Sequence, residues 1–155
     1  MIVLKRGILL PKKIFYIIVL VCSVIIFLEC LDLIINFKTS TYSIFYSNDV
    51  LILNQSNNLE MYLRIQLMIF FIRIIPIMVL GLHSYFAFLK FKISNTFPII
   101  WIILIFGLFV YTVIQFSFFS IFYYIKLIGY IILIICLINL FKIIKQEGDR
   151  YSATI

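Results

Sequence analysis

The sequence has little charge and very little alanine, glycine or proline. Charged residues make up 12% of the 155 residues and hydrophobic residues make up 65%, whereas a soluble domain is about one quarter charged and about half apolar. A water-soluble globular domain is therefore excluded. Isoleucine occurs 35 times but alanine only twice, and glycine and proline total eight, which excludes disordered, collagen-like and flexible-linker chains. We expect a membrane protein of one domain.

Paired cysteines and catalytic motifs are missing as well. The three cysteines, Cys22, Cys30 and Cys136, stand in apolar runs, without a C-x-x-C pair or a His/Cys cluster at metal-ligand spacing. The sequence has no Ser-His-Asp set, nucleophile elbow, Walker loop or H-E-x-x-H motif. We therefore predict that the protein is not an enzyme and binds no cofactor or metal.

Basic residues outnumber acidic residues by 13 to six, for a formal net charge of +7. They flank the apolar stretches and form no dense patch with interleaved aromatic residues, so we do not expect nucleic-acid binding. Flanking cations are retained on the cytoplasmic side of a membrane. Nine would share one side: Lys5, Arg6, Lys12, Lys13, Lys90, Lys92, Lys142, Lys145 and Arg150. Lys38, Lys126 and Arg64 would face the other, so both termini are predicted to be cytoplasmic in the cell (inner) membrane.

Four apolar stretches are long enough for transmembrane helices, which need about 20 residues each. We predict spans at 14–35, 62–89, 98–117 and 123–144, with an extracytoplasmic loop over 36–61. Pro76 is expected to kink the second span, because proline removes a backbone hydrogen bond. The turn between the last two spans is expected at 118–122. The predicted fold is an all-α, polytopic membrane bundle of four transmembrane helices.

An ionisable residue inside a predicted span costs about 2.5 to 3.5 kcal/mol to insert. Such residues are candidate functional sites for that reason. The candidates are Glu29, Asp32, Arg64, Arg73, His83 and Lys126.

Glu29 and Arg73 are predicted to pair. Glu29 lies about 10 Å inside the outer end of the first span, and Arg73 lies about 16 Å below the start of the second. A long arginine side chain covers that difference. Gln66 and Arg73 are seven residues apart and share one helix face, so they form a polar stripe that can face Glu29. Asp32 and Arg64, nearer the surface, are expected to form a second pair.

These pairs have a functional and a structural interpretation. In the functional one they relay a proton or cation, or bind a charged headgroup; in the structural one they fix the register of the helical hairpin. We favour the structural interpretation. His83, the sole histidine, is a secondary candidate together with Gln66. A lone histidine is no metal site, and we interpret it as an interfacial residue hydrogen-bonded to a neighbour or headgroup.

Three short segments together resemble a known family. They are Gly7-Ile8-Leu9-Leu10-Pro11 before the first span, Phe88-Leu89-Lys90-Phe91-Lys92 followed by Phe97-Pro98, and Ser152-Ala153-Thr154 at the tail. In this respect the chain resembles the small bacterial four-span inner-membrane proteins classed as domain of unknown function 2569. The resemblance implies an architecture and a topology, and it implies no activity.

The expected function is non-catalytic. The chain would act through helix contacts as an accessory, assembly or protective membrane protein. One alternative is a small oligomeric proton- or cation-coupled transporter that uses Glu29 and Arg73. Another is an immunity protein against a pore-forming toxin, since such proteins are also small, basic and multi-span. The expected partners are the lipid bilayer and a membrane-protein partner or further copies of this chain.

Overall fold

The computed structural model describes residues 10–46, 52–89, 93, 96–114 and 121–152, and their side chains over 10–38, 60–89, 93, 96–114 and 121–146. The described part of the chain is all-helical. Its four helices are α1 (Lys12–Tyr46), α2 (Ile52–Leu89), α3 (Thr96–Ile114) and α4 (Ile121–Ser152). The predicted all-α class with four long apolar helices is confirmed.

Two of the three prolines mark the beginnings of helices. Pro11 precedes α1, and its carbonyl accepts a hydrogen bond from the amide of Phe15 at 3.1 Å, which closes the first turn. Pro98 lies in the first turn of α3, where a missing N–H costs nothing because no carbonyl precedes it within the helix. Pro76 lies inside α2, which continues through it to Leu89.

Each helix contains a segment that is long and apolar enough to cross a membrane: Lys12–Lys38, Glu60–Leu89, Thr96–Ile114 and Ile121–Gln146. These segments overlap the four predicted spans. The predicted loop over 36–61 differs from the structure, because α1 continues to Tyr46 and α2 begins at Ile52. Residues 36–61 are rich in polar side chains but contain no glycine or proline, the residues that would end a helix. Residues 47–51 of that loop, and 118–120 of the predicted turn, lie outside the described residues; residues 121–122 of the turn are helical.

The helices α1 and α4 form the centre of the bundle. Helix α1 packs against α2 on one side and α4 on the other, α3 packs mainly against α4, and α2 and α3 touch only slightly. The main core is formed by side chains that all four helices contribute: Ile18, Val21, Cys22, Ile25, Ile77, Leu80, Trp101, Ile105, Tyr130, Leu133, Cys136 and Leu137. A second cluster closes the end of the bundle at which α1 begins, where the Phe15 and Phe88 rings stack with centroids 4.5 Å apart.

One close contact joins the two central helices. Gly129 of α4 faces α1, and a Cβ atom added there would lie 3.0 Å from Ile25 Cγ1. Because Ile25 is fully buried, it has little room to move. The missing side chain at Gly129 therefore sets how closely α1 and α4 approach. Charged residues lie within two turns of this contact on both helices: Glu29 and Asp32 on α1, and Lys126 on α4.

Candidate functional site

Four charged side chains meet inside the bundle, and we call them the charge network: Glu29 and Asp32 of α1, Arg73 of α2 and Lys126 of α4. Arg73 Nη1 donates a hydrogen bond to Glu29 Oε2 at 3.3 Å. Lys126 Nζ lies 3.2 Å from Glu29 Oε1 and also donates a hydrogen bond to Asp32. Glu29 thus joins cations from two different helices, and Lys126 joins both carboxylates of α1.

The network is buried and formally neutral. The side chains of Glu29 and Lys126 are only 2% and 4% exposed, while Arg73 and Asp32 are partly buried. Two carboxylates balance two cations, so the charge network carries no net charge. This balance matters because an unpaired charge in a low-dielectric interior is costly, whereas a paired and hydrogen-bonded charge is tolerated.

Helical periodicity explains how the sequence brings these groups together. Glu29 and Asp32 are three residues apart, which places both carboxylates on the same face of α1. On α4, Lys126 and Tyr130 are four residues apart and share a face for the same reason. Because α1 packs on both α2 and α4, its acidic face meets one cation from each neighbour.

Helix α3 and the next turn of α4 add neutral groups to the edge of the network. The Arg73 guanidinium lies 5.3 Å from the centre of the Tyr111 ring, a distance at which a cation is attracted to an aromatic face. Thr112 Oγ1 donates to the Leu108 carbonyl at 2.8 Å. The Tyr130 hydroxyl, near Thr112, Glu29 and Arg73, is buried, and within the described residues it makes no well-formed hydrogen bond; the same holds for Arg73 Nε. The network therefore retains unused donors.

The sequence-based pairing of Asp32 with Arg64 is corrected by the structure. Arg64 Nη2 instead donates to Glu60 Oε1, one turn earlier on α2, at 2.7 Å, and both side chains are exposed. Asp32 accepts its hydrogen bond from Lys126. The physical reason is that residues four apart on a helix are neighbours, while Asp32 already has a cation beside it on α4.

Glu29 and Arg73 are in contact within the charge network. The remaining candidates are His83 and Gln66. His83 lies on α2 outside the charge network. Its ring is nearly perpendicular to that of Phe97, with centroids 4.7 Å apart, and its centroid lies 6.0 Å from that of Trp101. Gln66 is half-buried on α2, two turns before Arg73.

Sequence reasoning named Lys126 but gave it no partner, and it missed Tyr130 and Tyr111. One signal was available for Lys126, which is the only charged residue between positions 93 and 141. A single buried cation in so long an apolar stretch requires an acidic partner elsewhere in the bundle.

Comparison with known proteins found no match: no protein-family model, no curated protein and no solved structure matches the chain. The resemblance to the domain of unknown function 2569 proteins therefore stays a prediction. Within the described residues, no group of three or more His, Cys, Asp or Glu side chains is placed to hold a metal ion.

Two kinds of chemistry are open to this arrangement. As a fixed set of ion pairs, it joins α2 and α4 to α1 and sets their register. As a set of exchangeable partners, it can pass a proton or cation among Glu29, Asp32 and Tyr130. The neutral charge balance favours the first role, and the unused donors favour the second.

Proposed function

We propose that this chain is a four-span protein of the cell (inner) membrane, with both termini in the cytoplasm, and that it acts without catalysis as an accessory, assembly or protective subunit. Two features support this placement: four helices of sufficient length and apolarity, and basic residues concentrated beside the predicted cytoplasmic ends. The resemblance to the domain of unknown function 2569 proteins implies the same topology.

The exposed side of α2 is the observation that supports a role through helix contacts. Only 17% of the apolar segment of α2 is buried, against 39% in α1 and in α4. Along its exposed side runs a row of large apolar residues at alternating spacings of four and three, which we call the outer stripe: Met61, Ile65, Met68, Ile72 and Ile75. This is the spacing with which one helix packs along another. The outer stripe lies on the helix whose apolar segment is least buried, and it therefore supports a role through contact with a partner helix.

Site-specific crosslinking tests the proposal. A photoreactive phenylalanine analogue is placed at Met68 in the outer stripe, and as a matched control at Ile103 of α3; these residues are 64% and 66% exposed. We expect one protein adduct of constant mass from Met68 and none from Ile103. Equal adducts from both positions, or protein adducts from neither, would contradict the proposal.

The mass of the natively purified protein then identifies the partner. A stable foreign subunit supports the accessory role and names the process in which the chain takes part. A homo-oligomer without foreign subunits supports the second candidate function described next.

The second candidate function is a small oligomeric transporter coupled to protons or cations. It is supported by the burial of Glu29 between two cations and by the nearby Tyr130 hydroxyl, which makes no well-formed hydrogen bond within the described residues. Ionisable residues buried within membrane-spanning helices mark candidate proton and ion pathways. Under this proposal, Glu29→Gln abolishes coupled flux into liposomes while the protein still folds, and Glu60→Gln, in an exposed pair, leaves flux unchanged. If the unmodified protein shows no coupled flux, or if the folded Glu29→Gln protein keeps that flux, the network is structural.

A further inference from the structure

A groove of about 500 Å³ lies between α1 and α2 and opens to the outside of the bundle. It lies apart from the charge network, toward the end of the bundle at which α1 begins. Its walls are almost entirely apolar and include Phe15, Val19, Ser23 and Ile26 of α1 and Leu82 and Tyr85 of α2.

Ser23 and Gly81 line the groove without filling it and without adding an unsatisfied polar group. The Ser23 hydroxyl donates to the Val19 carbonyl of its own helix at 2.9 Å, so it is already satisfied. Gly81 has no side chain, and a Cβ added there would only reach Cys22 Cβ, at 4.0 Å. The groove thus offers an occupant an apolar surface and no demand for hydrogen bonds.

A lysine stands at one end of the groove and on the same face of α1. The spacings between Lys12, Phe15, Val19, Ser23 and Ile26 are three, four, four and three residues, which places all five on one side of the helix. Lys12 is exposed at the first position of α1. The groove therefore has a cationic end and an apolar length of about 16 Å from Phe15 to Ile26.

We propose that this groove binds one acyl chain of an anionic phospholipid, with Lys12 contacting the phosphate. The inference rests on the proposed insertion of the chain into a membrane. Charge complementarity identifies the headgroup, because lysines near the membrane surface attract anionic lipids. The shape of the groove identifies a chain as the occupant, because the groove is apolar along about 16 Å and offers about 500 Å³. A single flexible hydrocarbon chain fits the space.

Two lipids with identical chains and different headgroups test the proposal. The full-length protein is first shown to stay in membranes washed with alkaline carbonate. It is then purified in detergent, mixed with dioleoyl phosphatidylglycerol or dioleoyl phosphatidylcholine, and the fraction carrying one lipid is measured by native mass spectrometry. We expect about fivefold greater retention of the anionic lipid, the factor given by one lysine contact.

Neighbouring residues provide matched controls for both ends of the site. Lys12→Gln is expected to reduce retention of the anionic lipid to that of the neutral lipid. Lys13→Gln removes the same charge from a position about 100° around the helix, and the preference should persist. Ser23→Phe fills the groove and should lower retention of both lipids, whereas Val24→Phe, at an exposed position beside the groove, should lower neither.

The outcomes separate the two proposals. If the unmodified protein retains both lipids equally, if Lys12→Gln behaves like Lys13→Gln, or if Ser23→Phe behaves like Val24→Phe, the lipid site is overturned and membrane insertion stands. If alkaline carbonate releases the protein, membrane insertion itself is overturned and the lipid site falls with it. Since Lys12 is exposed, its variant tests the site without disturbing the packed core.

Discussion

Replacing Glu29 with glutamine leaves one cation too many in the charge network. The substitution keeps the size and shape of the side chain but removes the charge that holds Arg73 at 3.3 Å and Lys126 at 3.2 Å. Lys126 keeps its bond to Asp32. Arg73 loses the ion pair that the structure gives it and cannot become neutral, because arginine does not release its proton in proteins.

An uncompensated buried charge costs about 3 to 5 kcal/mol. Arg73 is only partly buried and retains the face of the Tyr111 ring, so the lower end of that range applies. We expect Glu29→Gln to reduce the free energy of unfolding by about 3 kcal/mol.

Adding a second substitution should restore part of that stability. In the double variant Glu29→Gln/Arg73→Met the surplus cation is gone, and the bonded pair of Asp32 and Lys126 remains neutral by itself. Methionine fills most of the space of the arginine stem. We therefore expect the double variant to regain roughly 2 kcal/mol relative to Glu29→Gln alone, because the main cost is the unpaired charge and not the lost contact.

Unfolding of the detergent-solubilised protein by sodium dodecyl sulfate, followed by circular dichroism, measures these differences. Glu60→Gln serves as the control, since it makes the same chemical change in a pair whose glutamate is 65% exposed; such pairs contribute about 0.2 to 1 kcal/mol. The reasoning is refuted if the double variant is no more stable than Glu29→Gln, or if Glu60→Gln costs as much as Glu29→Gln.

Two further predictions concern packing and access. Gly129→Ala should lower the free energy of unfolding by about 1 to 2 kcal/mol, because the new Cβ would lie 3.0 Å from a fully buried isoleucine side chain of α1. Gly107→Ala, whose Cβ meets nothing within 4 Å among the described residues, should be neutral or stabilising by up to about 1 kcal/mol; equal melting temperatures for the two variants would contradict the packing argument. A maleimide should label Cys30 before Cys22 or Cys136, because the latter two are buried. Mass spectrometry after short labelling times checks this order, and simultaneous labelling of all three would oppose it.

The four helices could be predicted because the signal is long and strong. Each apolar stretch reaches about 20 residues, and proline falls where α1 and α3 begin. The ends of α1 and α2 were harder to predict. Residues 36–46 are rich in polar side chains and so favour a loop, yet polarity does not end a helix. Glycine and proline do, and this segment contains neither.

The charge network was predictable only where depth and helical phase decided it. Both criteria bring Glu29 of α1 opposite Arg73 of α2, since the two helices are consecutive and antiparallel. The contact between Asp32 and Lys126 depends on which helix lies on the other side of α1, and nothing in the sequence gives that packing order. The hairpin of α1 and α2 alone predicts a pair of Asp32 with Arg64, whereas Arg64 bonds within its own helix.

The neutrality of the network is what separates the two candidate functions experimentally. A structural network needs only charge balance, so Glu29→Gln/Arg73→Met should recover both stability and partner binding, although no carboxylate remains at position 29. A transport pathway needs that carboxylate itself, because a glutamine cannot accept and release a proton. The same double variant would then be stable and folded but inactive in flux. Stability measured beside function in one variant thus distinguishes a network that holds helices in place from one that carries protons.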